Sequence, residues 1–117
     1  MVVKALSVGE IIHAYLYSPW MKAEDNQCLQ FMYHLHALGI GQLLVFIQYK
    51  DMYKKKLWER KGLQGNKWFK QQLQLPAGEY RLVFIGVRGF KSYGGISVDE
   101  ISVSPRQCDS ACECELW

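Results

Sequence analysis

The sequence predicts an all-β chain folded as an antiparallel sandwich. Apolar residues alternate with polar ones through several separate runs. Glycine or proline punctuates the gaps between the runs, and no stretch holds the spacing of a long amphipathic helix. Six or seven strands joined by turns, without a helix to cover a parallel sheet, leave the sandwich as the architecture.

The first 17 residues carry mixed signals. Ser7 and Glu10 resemble a capping box, yet Tyr15-Leu16-Tyr17 before Ser18-Pro19 reads as a short strand stopped by proline, so the expectation is a strand over 14–17. Lys22 to Gln27 reads as a polar loop. Cys28 to Gly41 is the longest alternating run, and Leu29, Phe31, Tyr33, Leu35 and Ala37 share one apolar face. Gln42 to Tyr49 is dense enough in apolar residues to require an interior position. Lys50 to Lys61 holds six basic and two acidic residues, and the break in hydrophobicity predicts a loop with a short strand at Leu57-Trp58. Gly62 to Asn66 reads as a turn, Lys67 to Leu75 as an alternating strand and Pro76 to Gly78 as a tight connection. Glu79 to Arg88 is strongly β, with Gly86 suggesting a bulge or a close backbone approach. Gly89 to Gly95 reads as a glycine-bounded loop. In the last strand Ile96 and Val98 have one parity and Ile101 and Val103 the other, which predicts a bulge at Asp99-Glu100.

With 117 residues, 50% of them hydrophobic and 14% aromatic, there is material for one domain with a real core. A net charge of +3 is too mild to point to nucleic acid. No apolar stretch reaches the roughly 18 residues of a membrane span, and Glu10 and His13 spoil the amino terminus as a signal peptide. Cys28 stands alone deep in the chain, whereas Cys108, Cys112 and Cys114 cluster at the end. That distribution suits a long-range disulfide better than zinc. A Cys28–Cys108 bridge would close a loop of roughly 80 residues, worth roughly 4–5 kcal/mol in the chain-entropy model, and would imply an oxidising compartment.

Taken together the segments resemble the MAM domain, the extracellular module of meprins, mu-type receptor tyrosine phosphatases and neuropilins. The matching residues are Ser18-Pro19-Trp20, the run from Cys28 to Leu35 with Gly39 and Gly41, Leu57-Trp58, and Gly65 to Trp68. Tyr80 to Phe84, Gly86 to Gly89, Gly95 to Ile101 and Cys108 complete the series. The resemblance covers the later part of such a domain, from about Tyr17 to Cys108. It implies a sandwich of jelly-roll type lacking its N-terminal strands, with 1–16 a remnant or non-native segment and 109–117 a tail or the start of a further module. It also implies an extracellular or cell-surface setting, a secreted or membrane-anchored parent, and adhesion or oligomerisation through a protein partner or a second copy.

Catalysis is not expected, since no nucleophile with a nearby base can be assembled, and no cofactor is implied. His34 and His36 lie on one side of a strand, as metal-binding pairs do, with Asp99 a further weak candidate; the plainer reading is surface or packing histidines. Candidate contact residues are Lys54, Lys55, Lys56 and Trp58 of the basic segment and Phe90, Lys91 and Tyr93 of the glycine-bounded loop, chosen on expected exposure. The basic segment could also touch anionic glycans. The rival reading is a carbohydrate-binding jelly roll, which needs aromatic rings along one face; Tyr33, Phe46, Trp68 and Phe84 are instead expected to be shared with the core.

Overall fold

A computed structural model describes residues 2–3, 12–38, 41–61, 65, 67–88 and 93–108. Its strands are β1 (Val2–Val3), β2 (Ile12–Tyr17), β3 (Met21–Ala23), β4 (Gln27–Leu38), β5 (Gly41–Tyr49), β6 (Lys54–Lys61), β7 (Phe69–Leu75), β8 (Gly78–Arg88) and β9 (Tyr93–Ser104). They form two antiparallel sheets, ordered β1-β9-β4-β7 and β2-β8-β5-β6, with β3 also paired to β8. The expected sandwich is therefore the observed one. Residues 12–16 are part of it, because β2 pairs with β8 along its whole length from Ile12↔Arg88 to Tyr17↔Val83.

The alternation of β4 does what its side chains dictate. Leu29, Phe31 and Leu35 are fully buried and Tyr33 nearly so, facing Leu43, Val45 and Ile47 of β5 and Tyr80, Leu82 and Phe84 of β8 across the interior. Phe31 lies at the centre, edge-on to Phe84 at 5.3 Å and to Trp58 at 5.3 Å, an arrangement the ring quadrupoles favour. Burial raises the pKa of the Tyr80 phenol, with a smaller contribution from Tyr49, and its O–H donates a hydrogen bond to the Pro76 carbonyl at 2.6 Å. Cys28 and Cys108 are bonded, with Cα atoms 4.9 Å apart. The bridge ties the segment that follows β9 to the start of β4. Gln74 of β7 adds a second tie by accepting the Cys108 N–H at 2.9 Å.

The bulge in β9 is present. Gln30 pairs with Ser102 but Met32 with Asp99, so one extra residue sits opposite Phe31, and Glu100 takes a φ of 51°. Val103 turns back toward the core, whereas Ile101 stays 39% exposed. Ile101 lines an apolar cleft together with Leu16, Met21, Leu82, Phe84 and Val103.

Three expectations fail. The Lys50 to Lys61 segment is mostly strand: a turn closes with Met52 donating to the Tyr49 carbonyl, and β6 then runs from Lys54. Its pattern carries no alternation because it is an edge strand with little to bury. The polar loop at 22–27 includes the last two residues of β3 and the first residue of β4. Of the two readings of Gly86 the bulge is the one that fails, since its register to Ala14 on one side and Leu43 on the other is unbroken. Gly78 is the glycine that the backbone demands, at a φ of 140°, where a side chain would be strained.

Candidate interaction face

The outer face of the five-stranded sheet gathers side chains that sequence reasoning did not bring together. Register places Tyr15 and Tyr17 of β2 beside Ile85 and Val83 of β8, with Leu44 and Phe46 of β5 beyond them. Tyr15 and Tyr17 stack on each other at 6.2 Å, and His13 extends the row at 6.4 Å.

Trp20 joins this row through a local irregularity. Tyr17 pairs with Val83 and Met21 with Tyr80, so the three residues Ser18 to Trp20 span only two on β8. The extra residue reverses the alternation and sends Trp20 outward while Met21 packs on the core. Ser18 holds the insertion. Its N–H donates to the Leu82 carbonyl at 2.9 Å, and its hydroxyl oxygen accepts the Leu82 N–H at 2.8 Å. Pro19, with no N–H of its own, leaves no donor stranded there. Ser18→Ala is expected to cost about 1–2 kcal/mol, the penalty for a half-buried N–H left without its acceptor; an unchanged thermal midpoint would refute this role.

Cations are threaded through the rings. The Arg81 guanidinium lies 4.4 Å from the Tyr17 ring and 4.7 Å from the Trp20 ring. Its Nε donates to Gln48 Oε1 at 2.7 Å, and Gln48 is itself buried. Lys50 Nζ sits 4.4 Å over the Trp20 ring and 3.7 Å from Glu79. Lys54 approaches Tyr15 at 5.9 Å. Tyr15, Tyr17 and Trp20 are 49%, 45% and 39% exposed, so the face presents large aromatic side chains already held in place. Arg81 and Lys50 lie over the Tyr17 and Trp20 rings, which leaves those faces less free to stack against a neutral sugar.

The residues nominated from the sequence are scattered. Lys54, Lys55 and Lys56 are exposed on β6. Trp58 is 8% exposed, its ring 5.3 Å from Phe31 and 5.0 Å from Tyr33; it is core, because its register partner Val45 faces inward. Phe90 and Lys91 lie outside the described residues, and Tyr93 enters only through its backbone pairing with Leu38. His34 packs at 5.4 Å against Trp68, while His36 enters only through its backbone pairing with Gly95. Asp99 accepts the Glu100 N–H at 2.8 Å within the bulge. No cluster of three metal-ligating side chains occurs among the described residues. Of the rings expected in the core, Tyr33 and Phe84 are buried, Phe46 is half-buried, and Trp68 is 37% exposed. The missed residues Tyr15, Tyr17 and Arg81 had a legible signal in their strand parity; Trp20 had none.

Two antiparallel sheets packed on one core make the chain a β-sandwich module with an aromatic and cationic outer face. The chain belongs to the MAM domain family, meprin/A5/mu, whose family model matches residues 1–109. It is 28% identical over 94 residues to MAM domain-containing glycosylphosphatidylinositol anchor protein 2 of Mus musculus, covering 78% of this chain and 10% of that protein. It is 31% identical over 96 residues to Thyroid hormone-induced protein B of Xenopus laevis, covering 80% of this chain and 14% of that protein. The chain thus spans a small part of the curated relatives it matches. Among solved structures, the K1 cleaved adhesin domain of Lys-gingipain from Porphyromonas gingivalis W83 is similar at a TM-score of 0.59 and 19% identity, over 79% of this chain and 63% of that one, a likeness of fold. The family places the chain among extracellular interaction modules.

Proposed function

We propose that the chain is a non-catalytic module that binds a protein partner through the Tyr15–Tyr17–Trp20–Arg81 face, serving adhesion between cells or assembly of a longer parent protein at the cell surface. The single observation behind this reading is the makeup of the face. Tyrosine, tryptophan and arginine are the side chains that dominate interface energetics when clustered. Here they are fixed in advance by stacking, cation–π contact and the Arg81–Gln48 hydrogen bond, so little side-chain freedom is lost on binding. Among the described residues, the two groups whose pKa departs from its ordinary value owe the shift to structural causes. Tyr80 is raised by burial, and Glu59 is lowered first by its hydrogen bond from Lys56 and then by that from Gln42.

Beads coated with the whole chain should cluster with one another or attach to cells. Trp20→Ala combined with Arg81→Ala should weaken that attachment by at least about tenfold, while Lys70→Ala on the other sheet should leave it unchanged. Equal attachment by the double variant, with its fold intact by circular dichroism, overturns the assignment.

A further inference from the structure

We infer that the outer edge of β6 is a binding track for a sulfated, polyanionic glycan chain. This does not rest on the aromatic face. Within Lys54–Lys61 the sequence KKKLWERK supplies five cations and one carboxylate. The carboxylate, Glu59, is held by Lys56 at 2.9 Å and by Gln42 at 2.7 Å. Beyond the Lys56–Glu59 pair the strand still carries Lys54, Lys55, Arg60 and Lys61, so positive charge predominates along it. Register distributes them around the edge: Lys54 and Lys56 stand opposite Gln48 and Phe46 on the outer face, while Lys55 and Arg60 stand opposite Ile47 and Leu43 and leave the strand on the other side. The strand pairs with β5 alone among the described residues, so its far edge presents backbone N–H groups between two rows of cations. Eight residues extend over about 26 Å, a line of positive charge rather than a plate.

This geometry selects among anions. An acidic peptide added as a further strand would need a regular edge. The register of β6 shifts between Val45 and Phe46, with Leu57 as the extra residue, and a bulge together with edge lysines discourages strand addition. A planar membrane would engage a flat patch, whereas these cations straddle a rim. A flexible chain of sulfates and carboxylates needs only charge in a row, and it occurs where extracellular modules work.

The test uses the whole disulfide-bonded chain on immobilised heparin, chemically desulfated heparin, phosphatidylserine vesicles and polyglutamate. Wild type should bind heparin, and Lys54→Ala/Lys55→Ala/Lys56→Ala should lose at least about tenfold in affinity, with the slope of log Kd against log salt falling by about two to three. Arg60→Ala should lose a smaller factor, and Lys22→Ala with Lys70→Ala should lose none. Four outcomes overturn the inference: heparin binding unchanged in the triple variant, binding unchanged by desulfation, or equal or tighter binding to vesicles or to polyglutamate. Aggregation of the triple variant with full retention of heparin binding would show that the lysines only guard the edge.

Discussion

Removing the Cys28–Cys108 bridge is expected to lower the unfolding free energy by roughly 4–5 kcal/mol. The two residues are 80 apart in sequence, so the reduced unfolded chain regains the freedom of a long loop. For a domain whose whole margin is about 5–15 kcal/mol, that is a large share. Cys108→Ala isolates the cross-link, since Cys108 sits beyond the last strand and only half-buried. Cys28→Ala adds a defect in a site that is 1% exposed and should cost more. Reductant applied to the wild-type chain should match Cys108→Ala and do nothing further to it. Denaturant titrations should also give a steeper slope for the reduced protein, because its unfolded state is more expanded. Identical midpoints with and without reductant would show that the bridge contributes nothing to stability.

How much of this was legible in the sequence depends on what each element buries. β4, β5 and β8 announce themselves because one or both of their faces are covered, and covered faces impose alternation or a solid apolar run. The β9 bulge was legible for the same reason: Ile96 and Val98 cannot face inward together with Val103 unless a residue is added between them. β6 was legible only at Leu57-Trp58. Those two residues pack on the core while the others of Lys54–Lys61 carry charge at an edge, so only pairing with β5 shows the full length of the strand. The face of Tyr15, Tyr17 and Trp20 divides along the same line. The tyrosines lie two apart and share a side in any strand, but Trp20 reaches that side only because Ser18 absorbs an extra residue against Leu82. Such an insertion depends on a partner 64 positions away, which local periodicity does not encode.

Charged neighbours in sequence are a poor guide to the exposure of Trp58. Surrounded by Lys56, Glu59, Arg60 and Lys61, it reads as a surface residue, yet its ring is wedged between the sheets against Phe31 and Tyr33. Trp58→Ala is therefore expected to cost about 3–5 kcal/mol, the loss of a large buried ring plus the cavity it leaves. A surface tryptophan would change stability by no more than about 0.5 kcal/mol. A second substitution separates the ring from its nitrogen. Trp58 Nε1 is buried without a hydrogen-bond partner among the described residues, so Trp58→Phe gives up volume but also removes an unsatisfied donor, and these effects oppose each other. Its cost should stay below about 1.5 kcal/mol. Chemical unfolding of both variants decides the matter: a large loss for alanine beside a small one for phenylalanine fixes Trp58 as a core ring, whereas two small losses would return it to the surface, where it could serve as a contact residue.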